Sequence, residues 1–334
     1  MPPSGDGNEL GFLPWHVPVW EQLSASLAAG RFPHALLLEG QSGTGRNAFA
    51  VALARVLLCD LSEPNAAVLC ASCKSCELTA AGTNPDFLSV FPEEIGKSLG
   101  IDQVRRAIDF ANKTSALGQG KAIVISPAES MTRGASNALL KSLEEPSAGT
   151  VLILVTKPGA FIPATIRSRC QRWVLPAPTS KATTTWLESE LPDLETEALE
   201  EWMRLCPARP MDIKRLVESD SGDHWLALNG ALAAVTHHPS EDATAAANSI
   251  ALLGANLSVE EYLDLLESQL HELIRGKETE DEPISEWNYG QRRAAFQVLD
   301  ELRQLRLAQA AGSNPQADLL KLNLARQLVA LGER

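Results

Sequence analysis

Three groups of residues in this 334-residue chain have the types and spacing for chemistry. The first is the run "LEGQSGTGRN" (38–47), where Gly40, Gly43 and Gly45 precede Arg46 and Asn47. A glycine-rich turn between an apolar strand and a helix offers backbone N–H groups to phosphates. A following lysine then reaches the terminal phosphates, and a hydroxyl holds magnesium. The glycines are in place, so the loop can be built. Arg46 keeps the charge but carries it on a bulky planar fork, and Asn47 puts a neutral amide where the hydroxyl ligand belongs. A working site also needs an acid at the end of a later strand to position magnesium and water. The matching stretch, "AIVISPAES" (122–130), has Ser126 and Pro127 there. Together these losses argue against hydrolysis; residual ATP binding or hydrolysis by this chain is the alternative.

The second group is four cysteines within eighteen positions: Cys59, then Cys70, Cys73 and Cys76 as C-x2-C-x2-C. Four thiolates so spaced suit a tetrahedral structural Zn²⁺, a closed site with no position open to a substrate. An iron–sulfur cluster is the alternative, since thiolates alone also suit it. A reducing compartment disfavours disulfides.

The third is "ATIRSRCQRW" (164–173), which places Ser168, Arg169 and Cys170 at the end of a short helix after the strand "LILVT". An arginine there can simply complement a helix C-terminus. It can also be an arginine finger that reaches a nucleotide on a neighbouring subunit. Arg167, two residues away, is a rival for that role.

These groups need elements to hold them. From residue 34 the chain alternates apolar strands with helices: "HALLLEG" (34–40), a helix over 47–59, "DFLSVF" (86–91), and a helix over 102–115 with Asp102 as N-cap. Then come "KAIVIS" (121–126), a helix over 135–146 that Pro146 stops, "TVLILVT" (150–156) and "RWVLPAP" (172–178). Apolar strands separated by helices predict an α/β fold, a parallel sheet with helices on both faces. After "LPAPTS" (175–180) the pattern is helical, with breaks near "SDSGD" (219–223) and in the acidic "KETEDEPISE" (277–286). Leu320, Leu324, Leu328 and Leu331 form one stripe in the last segment, the mark of a helix-bundle seam.

Composition narrows the function. Hydrophobic residues make up 45% of the chain and the net charge is −13. The first supports well-filled cores, and the second opposes a stand-alone coat for nucleic acid. The polar, acidic start "MPPSGDGNEL" does not read as a secretion signal, and no apolar run is long enough to span a bilayer, so a soluble cytoplasmic protein is expected. No acid constellation for two metals is visible, which argues against nucleotidyl transfer by this chain.

"NALLKSLEEP" (137–146), "TIRSRC" (165–170), the loop at 36–50 and the four cysteines occur in one order, with "LPWHVPVWEQL", "PHALLLEG" and "AGTNPDF" around them. Over residues 12 to 177 this set resembles the clamp-loader branch of the AAA+ proteins. The resemblance implies an AAA+ module (1–177), a small helical lid domain (178–219) and an all-α collar (220–334). It implies a hetero-pentameric loader with gamma/tau and delta subunits as partners. Such a loader places a sliding clamp on primer-template DNA as part of the DNA polymerase III holoenzyme. A nucleotide-independent member would carry no ATP and would give Arg169 to the gamma/tau site next to it. The family's zinc ligands correspond to Cys59, Cys70, Cys73 and Cys76. Thr156 corresponds to the end of a sensing strand, and Met211 to a nucleotide-sensing arginine of ATP-binding relatives.

Overall fold

The computed structural model describes residues 12–60, 70, 72–93, 97–219, 221–237, 242–257, 259–275, 289–310 and 316–332. The stretches 1–10 and 277–286 that entered the sequence argument lie outside them. The chain divides into two compact units, the first built from residues up to 93 with 98–193 and 208–211, the second mainly from 194–207 and 212–334.

The first unit begins with α1 (Val17–Ala28), β1 (Ala35–Glu39) and α2 (Arg46–Leu58), followed by α3 (Lys74–Ala80), β2 (Phe87–Val90), α4 (Ile101–Ala111) and β3 (Lys121–Ile125). It continues through α5 (Arg133–Glu144), β4 (Thr150–Thr156), α6 (Ala164–Arg167), β5 (Gln171–Val174) and α7 (Ser180–Glu190). The strands form one sheet in the order β2-β3-β4-β1-β5, and every pairing is parallel. Successive side chains on a strand point to opposite faces, and here both faces are apolar. Leu36, Leu38, Ala122, Val124, Ile153 and Val155 share one core with α1 and α2. Ala35, Leu37, Ile123, Ile125, Leu152 and Leu154 share the other with α4 and α5. That is the physical content of a continuous apolar strand: burial on both sides.

Several element boundaries differ from the sequence reading. Helix α4 is capped at Gly100, not Asp102, because Gln103 reaches back: its Oε1 accepts the Gly100 N–H at 2.9 Å while its amide donates to the Phe91 carbonyl at 3.0 Å. The same helix ends at Ala111 rather than running to 115. Ser115, Ala116 and Leu117 are drawn instead into hydrogen bonds of 2.8 Å each with the Asp86 carboxylate. Helix α5 starts at Arg133 because Thr132 Oγ1 accepts the Ala135 N–H at 3.2 Å.

The second unit is helical throughout its described residues: α8 (Thr196–Leu205), most of α9 (Pro210–Val217), α10 (Ser221–His237), α11 (Ala243–Leu253), α12 (Val259–Arg275), α13 (Tyr289–Ala310) and α14 (Ala317–Gly332). Leu320, Leu324, Leu328 and Leu331 are all buried along α14, the seam expected of them. Buried Lys321 caps the end of α11 and the turn after it by donating to the carbonyls of Gly254 at 2.8 Å and Leu257 at 2.6 Å. No helix of the described residues is long and apolar enough to cross a membrane.

Candidate functional site

The phosphate-loop geometry is present, and neighbouring side chains pack and bond onto the loop. Gly43 and Gly45 take left-handed backbone, at φ 74° and 84°, which lets the chain turn from β1 into the N-terminus of α2. Arg46 folds back over the turn and donates from one guanidinium nitrogen to the Gly40 carbonyl at 2.8 Å. Leu13 lies so close above Gly45 that a Cβ at that position would overlap its Cδ1. The Trp15 indole donates to the Thr44 carbonyl at 2.9 Å, and the Met211 N–H to the Gly43 carbonyl at 2.9 Å. A roof of Leu13, Trp15 and Met211 therefore covers the loop. Behind it, Phe12 stacks on Trp20 with ring centroids 4.7 Å apart, and His16 meets Phe49 edge-on at 5.2 Å. Burial pushes the His16 imidazole down to about 4, so it sits there neutral.

The two positions that would hold magnesium bind each other. Ser126, just past β3, donates its hydroxyl to Asn47 Oδ1 at 2.7 Å. Thr156 at the end of β4 is buried, and its carbonyl accepts the Gly40 N–H at 3.1 Å, which fixes the start of the loop.

The four cysteines converge. Cys59 ends α2, Cys73 caps α3 and Cys76 lies in its first turn, so helix geometry brings them to one point. All four sulfurs lie within 4.8 Å of one another. Cys59 Sγ is 3.3 Å from that of Cys70 and 4.0 Å from that of Cys73, and Cys70 is 3.8 Å from Cys76. A tetrahedron with metal–sulfur bonds of about 2.3 Å has edges of about 3.8 Å, so the donor set and its spacing fit a metal ion. The Cys73 and Cys76 backbone N–H groups donate to Cys70 Sγ at 3.3 Å and Cys73 Sγ at 3.4 Å. Burial opposes a thiolate at Cys70, but backbone N–H groups of Ser72 and Cys73 and the Cys59 and Cys73 thiols outweigh it and hold it at about 6. Burial and the same thiols push Cys76 upward. Among the described residues this is the one His/Cys/Asp/Glu cluster that could hold a metal. Asn84 anchors the module to the sheet. Its amide donates to Ser75 Oγ at 3.0 Å and Thr79 Oγ1 at 2.8 Å, while its Oδ1 accepts the Asp86 N–H at 2.8 Å.

Ser168, Arg169 and Cys170 follow the single turn of α6. Arg169 donates from one nitrogen to the Thr165 carbonyl at 2.9 Å and to Ser168 Oγ at 3.3 Å. Its other terminal nitrogen lies 2.5 Å from Glu144 Oε1. Cys170 is half-buried against the α4–α5 core, and burial pushes its thiol up to about 11. Arg167 and Ser168 are exposed. The helix-end contact, one of the two readings of Arg169, is thus present, and the side chain is partly exposed.

With this geometry in place, the similarity to known proteins is specific. Residues 15–179 match the family model described as DNA polymerase III, delta subunit. Over 204 residues, 61% of this chain, the sequence is 44% identical to DNA polymerase III subunit delta' of Pseudomonas aeruginosa; over 218 residues, 65% of the chain, it is 38% identical to that of Escherichia coli. Over residues 15–179 the chain is similar to the DNA polymerase III delta-subunit family. The chain spans 60% and 64% of the length of those two relatives. The tau subunit of Bacillus subtilis matches 49% of this chain at 31% identity, over 28% of its own length. A solved gamma subunit-related protein of Thermotoga maritima covers 94% of this chain, and is itself covered to 99%, at a TM-score of 0.52 and 19% identity. That likeness carries the fold alone: a parallel five-stranded sheet with helices and a helical C-terminal part.

Several residues of this delta'-like module escaped the sequence argument. Leu13 and Trp15 sit in the quoted "LPWHVPVWEQL", yet nothing in that run says it roofs the loop. Glu144 lies in "NALLKSLEEP" without a sign that it meets Arg169.

Proposed function

We propose that the chain is a delta'-type subunit of the DNA polymerase III clamp loader, one that turns over no nucleotide of its own and completes a neighbour's ATP site. The observation that carries this reading is the self-closed loop: Arg46 bonds Gly40, Asn47 bonds Ser126, and Leu13 fills the space over Gly45. A loop so engaged offers no lysine to the phosphates and no hydroxyl–acid pair to magnesium, which supports a subunit without its own turnover, and its relatives carry the delta' name.

In this reading the chain joins gamma/tau and delta subunits in a hetero-pentamer that places the sliding clamp on primer-template DNA. Residues 1–177 are its AAA+ module, 178–219 its lid and 220–334 its collar. Arg169 is the arginine finger, offered to the gamma/tau ATP next to it, with Ser168 and Cys170 fixing the turn that carries it. Cys59, Cys70, Cys73 and Cys76 hold a structural Zn²⁺, which closes the α2–α3 insertion and supplies no chemistry to a substrate. Metal analysis of the purified chain is expected to give about one zinc per molecule; a metal-free, fully folded chain would count against that assignment.

The deciding test is Arg169→Ala in the reconstituted loader with clamp and primed DNA. An arginine finger elsewhere contributes on the order of 10³ or more in rate at the site it serves, so DNA-stimulated ATP turnover falls while assembly is kept. An unchanged rate removes the finger from Arg169, and a loss confined to Arg167→Ala moves it there. Saturable magnesium-ATP binding by the isolated chain would favour the alternative of a subunit with its own nucleotide.

A further inference from the structure

Arg169 is not a loose surface side chain. One terminal nitrogen is bound to Thr165 and Ser168, and the other lies 2.5 Å from the carboxylate of Glu144, the last residue of α5. The two side chains are 35% and 50% exposed, so the guanidinium is pinned without being buried. A guanidinium has five N–H donors; the contacts named here engage three of them, and the side chain is 35% exposed.

We propose that Glu144 is a positioning residue for Arg169: it holds the guanidinium against the C-terminal ends of α5 and α6, in the orientation in which it meets a phosphate on a neighbouring subunit. The proposal rests on the reading of Arg169 as a donor in trans. A free arginine loses rotamer freedom when a phosphate captures it, whereas a pinned one has already lost it. The Glu144 charge works in the opposite direction, since it competes with phosphate for the same cation. Water and salt screen that competition and the pair itself, but the short contact with Glu144 acts together with the two bonds of the other nitrogen, which restrict the rotamer at short range. Orientation therefore outweighs repulsion, and removing Glu144 slows the step that Arg169 serves.

The test is a double-mutant cycle in the reconstituted loader, with ATP, clamp and primed DNA, reading kcat and KM for ATP. Glu144→Ala is expected to lower kcat about three- to tenfold with KM little changed, because orientation acts on the reacting geometry. Glu144→Gln, which keeps an acceptor, falls between that and the parent. In an Arg169→Ala background, Glu144→Ala causes no further loss. Glu145→Gln, the same charge change on an exposed neighbour, leaves the rate alone. Melting temperatures of the variants report folding, and Glu144→Gln serves if the alanine variant assembles poorly. If Glu144→Ala leaves kcat unchanged, raises it, or lowers it equally with and without Arg169, the positioning role is overturned while the finger stands. If Arg169→Ala itself changes nothing, the reading beneath the proposal has failed instead.

Discussion

Gly45 answers to two constraints at once. Its φ of 84° lies in the left-handed region, and a Cβ there would overlap Leu13 Cδ1. Backbone strain for an alanine in that conformation is about 1–2 kcal/mol, and displacing a packed leucine adds about 1–3 kcal/mol. Gly45→Ala is therefore expected to destabilise the first unit by at least about 2 kcal/mol, read as a lower urea midpoint. Adding Leu13→Ala should recover the overlap and leave the backbone part; a Gly45→Ala protein as stable as the parent would mean that Leu13 does not sit over the loop. The same residue shows a second use for glycine at this turn. A phosphate loop needs Gly45 for close approach of the ligand, and here a leucine of the same chain makes that approach. Arg46 follows the same logic, since its guanidinium bonds the Gly40 carbonyl.

At the scale of elements, the sheet edge near the cysteine module hangs on Asp86. It accepts from Ser115, Ala116 and Leu117 and pairs with Lys121 Nζ at 3.0 Å, with both side chains almost fully buried. Lys121 also lies over the Phe110 ring at 4.1 Å. Burial alone would raise the Asp86 carboxyl, but the Ala116 and Leu117 N–H groups, Lys121 and Ser115 bring it down to about 2 from an ordinary 3.8. The folded value is the lower one, so the folded state binds fewer protons than the unfolded one in this range. The stabilisation is complete above about pH 4 and is lost as pH falls through about 2; a shift of this size is worth roughly 2 kcal/mol. Urea midpoints taken between pH 5 and 2 should show this loss, and it should vanish in Asp86→Asn. That variant is less stable at neutral pH because it leaves Lys121 buried without its counter-charge, at a cost of about 3–5 kcal/mol. Equal pH slopes for parent and variant would remove Asp86 from the account. The loop at 112–120 also explains why the α4 end was illegible in the sequence: helical periodicity continued, but a carboxylate some thirty residues away claimed the next N–H groups.

Across the whole molecule, what was legible was what adjacency in the chain encodes. Apolar strands, the glycine turn, the C-x2-C-x2-C spacing and the leucine stripe of α14 could each be read within one segment. The closed loop could not, because Asn47 and Ser126 are 79 positions apart and Leu13 reaches Gly45 from beyond the strand. The ion pair of Glu144 with Arg169 likewise depends on how α5 and α6 end side by side. Net charge belongs to this scale too and governs the last prediction. At −13, the chain repels a polyanion at long range, and non-specific DNA affinity comes almost wholly from counterions released by Lys and Arg. Binding of primed DNA by the isolated chain is therefore expected to be undetectable by fluorescence anisotropy at about 0.15 M salt. If the chain acts within a loader as proposed, the reconstituted complex should bind it under the same conditions, the positive surface then coming from outside this chain. Lowering the salt to about 0.05 M should rescue binding by the isolated chain only weakly, since a chain with few phosphate contacts has a shallow salt slope. Tight binding by the chain alone, with a steep salt slope, would show a basic surface strong enough to override the net charge, and would move DNA recognition onto this subunit.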